Sequence, residues 1–141
     1  MPNVVFDASS IVGAALKTDS MPERALLLAR SHDTVCLSSA VEGEIREVLR
    51  PKLRRYISDI SRQRILDIVG AGALMFHPTE RVSDCRDVKD NKYLELGLAA
   101  AASIIVSSDE DLLVLDPWRH SYPATGRLRQ IAGKPRVNGA G

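Results

Sequence analysis

The sequence predicts an α/β fold: a three-layer α/β/α sandwich on a mainly parallel central sheet. Two observations point there. Short apolar runs at Val4–Phe6, Thr34–Ser38, Ala73–His77 and Ile104–Val106 alternate with longer stretches of helical character, the pattern of βα units. Those runs are also apolar at successive positions, as strands covered by helices on both faces must be.

The elements follow in order. Val4-Val5-Phe6 reads as a buried strand ending at Asp7. Ser9 or Ser10 can cap a helix to about Lys17, and Pro22 suits the first turn of a second helix over Glu23–Ser31. After the strand Thr34–Ser38, Ser39 is placed to cap a helix through Leu49, which Pro51 ends. Ser58 opens a helix to about Val69, stopped by Gly70 and Gly72. Ala73–His77 is a third strand, and Thr79–Lys89 a charged loop. A helix over Asp90–Ala102, the strand Ile104–Val106 and a short helix over Asp109–Leu115 complete the pattern before Pro117 and Pro123.

The 141 residues suggest one domain, spanning 1–132, with a flexible Gly-, Pro- and Asn-containing tail at 133–141. The net charge of +1 means that nucleic-acid binding would need a local basic patch. Cys36 and Cys85 are too few for a disulfide framework and read as reduced thiols of a cytoplasmic protein. The N-terminal residues lack a basic, apolar leader pattern. The longest apolar run, Leu96–Val106, is too short for a membrane span, which needs about 20 residues. No membrane association is expected.

In parallel sheets, sites form beyond the carboxyl ends of strands. Asp7 and Asp109 both fall there, each also able to cap the helix that follows. Asp90 heads a ridge of Leu94, Gly97 and Ala101 that should press on the sheet, so its carboxylate should point inward, with a solvated N-cap at the helix start as the alternative. Burying a charge in this way costs several kcal/mol unless it is partnered. In Ser38–Leu49, the stripe Val41, Ile45, Val48 and Leu49 is bordered by Glu42 on one side and Glu44 on the other, and helical spacing does not choose between them. Carboxylates gathered on one rim repel by about 4 kcal/mol per pair at ~4 Å and an effective dielectric of about 20. They therefore protonate, splay or recruit a cation, and oxygen ligands favour Mg²⁺ or Mn²⁺. Zinc fits poorly, because His32, His77, His120 and the cysteines show no ligand spacing.

Val-Val-Phe-Asp7-Ala-Ser9, Glu44-Ile-Arg-Glu-Val-Leu, Cys85-Arg-Asp-Val-Lys-Asp90-Asn-Lys-Tyr-Leu-Glu-Leu and Ile-Val-Ser-Ser-Asp109-Glu-Asp-Leu-Leu occur in this order. Together they resemble the PIN-domain nucleases, in particular the VapC-like toxins of toxin–antitoxin pairs, from about Val4 to Leu115. The resemblance implies a metal-dependent endoribonuclease hydrolysing single-stranded RNA, with an acidic quartet of Asp7, Glu44, Asp90 and Asp109, choosing Glu44 over Glu42. Asp7, Asp90 and Asp109 would bind the ion, and Glu44 would bind it or orient the attacking water. Ser9 and Ser107 would support the carboxylates or the scissile phosphate, with Asp111 as an auxiliary acid. It further implies an antitoxin partner and a homodimer. The match weakens from Trp118 onward.

Substrate grip is expected from the basic segment containing Arg46, Arg50, Lys52, Arg54 and Arg55, which could equally be a solvated helix face or meet an acidic partner. Aromatic residues make up only 4%, so extended base stacking is not expected. The alternative function is a PIN-fold RNA- or protein-binding module without catalysis. A phosphatase of the haloacid dehalogenase type would show Asp-X-Asp after its first strand, where this chain has Asp7-Ala-Ser9. A receiver domain would carry a Lys after a late strand where this chain carries acids.

Overall fold

A computed structural model describes residues 2–52, 55–115, 118 and 130–132. The chain runs β1 (Asn3–Phe6), α1 (Ala8–Leu16), α2 (Met21–His32), β2 (Thr34–Leu37), α3 (Ser39–Val48), α4 (Asp59–Gly70), β3 (Leu74–Met75), α5 (Asn91–Ala99), β4 (Ile104–Val106), α6 (Glu110–Leu113) and β5 (Gln130–Ala132). A single 3₁₀ turn, Val88–Asp90, leads into α5.

The sheet has the order β3-β2-β1-β4-β5, and every pairing is parallel. It is the expected α/β architecture, with helices flanking the sheet. Two neighbouring strands are buried: Val4, Val5 and Phe6 of β1 and Val35, Cys36 and Leu37 of β2 all lie in the core. Burying such side chains contributes roughly 1.5–3 kcal/mol each. Helices close over them through Ile11, Leu26, Val41, Ile45, Ile65, Leu94 and Leu96, none more than 2% exposed. Burial also pushes the Cys36 thiol up to about 11, and Cys85 is a buried free thiol as well.

Several boundaries differ from the sequence reading, each for a local reason. Asp7, rather than Ser9 or Ser10, caps α1 by accepting from Ser10 N, and Ser38 rather than Ser39 caps α3 by accepting from Val41 N. In both cases the strand's last polar side chain turns back to satisfy the helix's free N–H groups. The third strand shrinks to two residues at the sheet edge, where Leu74 and Met75 are exposed. The helix after Asp90 stops at Ala99 instead of Ala102. Ala101 adopts φ +51; its N–H bonds Leu98 O and the Ala102 N–H bonds Gly97 O, at 3.2 and 2.9 Å. This is a Schellman turn with alanine in glycine's usual place, so Ala101 is exposed rather than part of the inward ridge. β5 has no counterpart in the sequence reading. The segment 133–141 lies outside the described residues.

β1 lies between β2 and β4, and the chain crosses from the β3 side to β4 between them. The strand order therefore reverses at the β1–β4 junction. Its carboxyl end is the crevice where open parallel sheets bind ligands. Phe6 pairs with Val106 there.

Among the described residues no helix is long and apolar enough to cross a membrane.

Candidate active site

Asp7 leaves β1 at that crevice, and its N–H bonds Val106 O at 3.0 Å. The side chain is 2% exposed and held from three sides. Oδ1 accepts from Ser10 N at 2.9 Å, the Ser9 hydroxyl donates to both carboxylate oxygens at 2.9 Å, and the Ser107 hydroxyl donates to Oδ2 at 2.5 Å. Burial raises the Asp7 carboxyl above its ordinary value, and the bonds from Ser107, Ser10 and Ser9 oppose that rise.

Ser107, just beyond β4, is buried and links the Asp7 carboxylate to the Asp109 backbone. Besides donating to Asp7, its oxygen accepts from Asp109 N at 2.9 Å. Asp109 in turn caps α6, with Oδ1 accepting from Asp111 N at 2.9 Å. Capping and site geometry are therefore not alternatives at Asp7 and Asp109. The cap fixes the side chain's direction.

Asp90 occupies the N-cap position of α5 but makes no capping bond. Its Oδ2 is buried with no hydrogen-bond partner in the structure. The carboxyl is pushed up to about 7, first by burial, then by Asp109 within hydrogen-bonding reach and by the charges of Asp109, Asp87 and Asp7. The inward orientation expected from the sequence is what the structure has.

Glu44 on α3 points to α5, where Lys92 Nζ lies 3.5 Å from its Oε2. Glu42 instead pairs with Arg46 at 3.6 Å. Glu44 therefore belongs to the rim and Glu42 to the helix's outer flank. The link between Glu44 and the other acids runs through Tyr93, which is 1% exposed. Its phenol is raised by burial and by the charges of Asp7, Glu44 and Asp90, and its hydroxyl accepts from Ala8 N at 3.1 Å. Tyr93 is thus the buried neighbour that Asp7, Glu44 and Asp90 have in common. Cys85 lies on the other side: burial, chiefly, and the charges of Asp90, Asp111 and Asp109 raise its thiol, and its N–H bonds Asn91 Oδ1 at 2.8 Å.

Sequence reasoning missed Tyr93, Lys92, Asn91 and Cys85. Tyr93 stands one helical turn after Asp90, so the same spacing that turns Asp90 inward turns Tyr93 inward too. Nothing in the sequence marks Lys92 as the partner of Glu44.

Asp90 feels the charges of Asp109 and Asp7, and Glu44 shares with Asp7 and Asp90 only their common neighbour Tyr93; among the described residues no three His, Cys, Asp or Glu side chains are grouped closely enough to hold a metal ion. The residues nonetheless fit a hard divalent cation. All four donors are carboxylates, and one buried oxygen of Asp90 is left unsatisfied against a neighbouring acid. Asp90 and Asp109 would hold such a cation, whose charge would offset the cost of placing the two carboxyls side by side.

The basic residues fall elsewhere. Arg46 pairs with Glu42 and Arg50 with Glu47 at 3.1 Å. Lys52 and Arg55 are exposed and make no ion pair among the described residues, and Arg54 lies outside those residues. Arg62 is buried, bonded to Leu49 O, Ile57 O and Asp59, so it braces the segment from inside.

A sequence profile of the PIN domain matches residues 3–111. The chain is 30% identical over 115 residues to the uncharacterized protein MJ1680 of Methanocaldococcus jannaschii, covering 79% of this chain and 74% of that protein. In fold it resembles a chain in the crystal structure of VapBC2 from Rickettsia felis bound to a DNA fragment from their promoter, with a TM-score of 0.58 at 12% identity, over 93% of this chain and 98% of that one.

Proposed function

Because the chain belongs to the PIN-domain family, we propose that it is a divalent-metal-dependent endoribonuclease that hydrolyses phosphodiester bonds of single-stranded RNA. The observation that carries this reading is the buried, unpartnered Oδ2 of Asp90, on a carboxyl that has Asp109 as its neighbour. An oxygen in that state costs roughly 1–3 kcal/mol or more, a cost that a cation offsets.

Asp7, Asp90 and Asp109 would hold the ion, Mg²⁺ or Mn²⁺. When bound, the ion neutralises charge on the phosphate and makes a water more acidic. Ser9 and Ser107 fix the rotamer of Asp7, and Ser107 also ties the Asp109 backbone to it. Glu44, steadied by Lys92, orients the water for in-line attack. Buried Tyr93 accepts from the Ala8 N–H and so steadies the backbone next to Asp7. Asp111 donates its N–H to Asp109 and is the auxiliary acid of the rim.

Lys52, Arg55 and the neighbouring Arg54 supply the grip on the RNA backbone. Arg46 and Arg50 join them, since exposed ion pairs such as theirs are worth only about 0–1 kcal/mol and exchange readily for phosphates. The chain acts as the toxin of a toxin–antitoxin pair in the cytoplasm, as a homodimer blocked by an antitoxin. The fold likeness to a chain of a VapBC2 structure bears on the antitoxin partner; the homodimer and the cytoplasmic setting rest on the resemblance to the VapC-like branch.

The test is RNA cleavage with Mn²⁺ by the wild type, Asp7→Asn and Asp90→Asn, alongside calorimetric Mn²⁺ titration. We expect cleavage and binding to vanish together in the variants. The second reading, a PIN-fold binding module without catalysis, draws on the capping roles of Asp7 and Asp109 and on the open ligand set. RNA binding by the wild type with neither cleavage nor metal uptake would establish it.

A further inference from the structure

A cleft of about 390 Å³ opens at the carboxyl ends of β2 and β3, lined among others by Ser39, Phe76, His77, Pro78, Arg81 and Lys92. The acidic quartet does not use it, yet the two share a wall: Lys92 lines the cleft while its ammonium pairs with Glu44. We propose that this cleft holds the base of the nucleotide next to the scissile phosphate, and so sets which RNA sequence is cut. The assignment to RNA rests on the nuclease reading above.

Three features carry it. The volume lies at the lower end of the range for small-ligand sites, about 300–1,000 Å³, which suits one nucleotide rather than a folded element. The lining is mixed in the way a base requires. Phe76 and Pro78 offer a half-buried apolar surface on which a ring can lie. The Ser39 hydroxyl, the His77 imidazole and the Arg81 guanidinium offer donors and acceptors for the base's edge. The outer wall is also fixed before any ligand arrives. Val82 is buried, and its N–H donates to Glu95 Oε2 at 3.0 Å, which holds the 79–82 segment against α5. A preformed wall spares the ligand the cost of ordering it.

The test is an amide-resolved NMR titration of the full, metal-free chain with AMP, CMP, GMP and UMP in turn, with inorganic phosphate as the control. The expected result is saturable shifts around Ser39, His77 and Lys92, stronger for one base than for the others and absent with phosphate. His77→Ala and the cleft-filling Thr79→Trp both lie on the exposed rim. Each should weaken binding by roughly tenfold or more. In cleavage of a randomised RNA pool, both should relax the preference at one position beside the cut. No saturation, shifts equal to those with phosphate, or unchanged binding in Thr79→Trp overturns the proposal. The titration needs no metal, so it reads the cleft independently of catalysis. Mononucleotide binding without any RNA cleavage by the wild type overturns the nuclease reading and, with it, the placement beside a scissile bond.

Discussion

The Ser107 hydroxyl bridges the two halves of the acidic rim, donating to Asp7 Oδ2 while accepting from the Asp109 backbone N–H. These two carboxylates come from strands 100 residues apart in sequence, and one buried oxygen sets their relation. Ser107→Ala removes the donor to a buried carboxylate. We expect RNA cleavage and Mn²⁺ affinity to fall roughly 10–100-fold, with a loss of about 1–2 kcal/mol in denaturant unfolding. Ser107→Thr keeps the hydroxyl and should restore most of both.

Asp90 gives the metal-free protein an unusual pH dependence. Its folded-state value, about 7, lies above the ordinary 3.8. Between those limits the folded state binds more protons than the unfolded one, so stability falls as pH rises through that window and levels off above it. Asp7 is shifted in the same direction. Thermal unfolding without metal should therefore occur at a higher temperature at pH 5.5 than at pH 8. Added Mn²⁺ should raise the midpoint most at pH 8, where the carboxylates are ionised. In Asp90→Asn, most of the pH slope and of the Mn²⁺ response should disappear. An unchanged slope in that variant would place its origin elsewhere.

Tyr93→Phe leaves the Ala8 N–H at the start of α1 without its acceptor. A buried unpaired donor costs about 1–3 kcal/mol, and it adjoins Asp7. We expect that loss in chemical denaturation and a drop in kcat that exceeds any change in KM, because the ring's packing remains while the seat of Asp7 shifts.

Ala101 sits at φ +51 in the turn closing α5, exposed to solvent. A non-glycine residue in this region costs roughly 1–2 kcal/mol. Ala101→Gly recovers part of that, offset by the greater freedom of glycine in the unfolded chain. A gain of up to about 1 kcal/mol, or roughly 3 °C in Tm for a chain of this size, is expected with cleavage unchanged.

Strand alternation made the fold legible because parallel strands under helices must be apolar on both faces, as Val4-Val5-Phe6 and Ile104-Ile105-Val106 are. Asp7 and Asp109 were legible from strand ends, and Asp90 from helical spacing. What escaped was whatever depends on pairing across the fold. Lys92 meets Glu44 only because α3 and α5 lie side by side. The positive φ of Ala101 has no marker, since glycine would have been its usual sign. The choice between Glu42 and Glu44 needed the neighbouring helix as well, which is why spacing alone left both open.

The central position of β1 has a consequence during synthesis. Its rim is finished only when β4, about a hundred residues later, docks against it and brings Ser107 and Asp109. Until then a growing chain carries Asp7, Glu44 and Asp90 but neither Ser107 nor Asp109. On the nuclease reading, fragments ending before Ile104 should not cleave RNA.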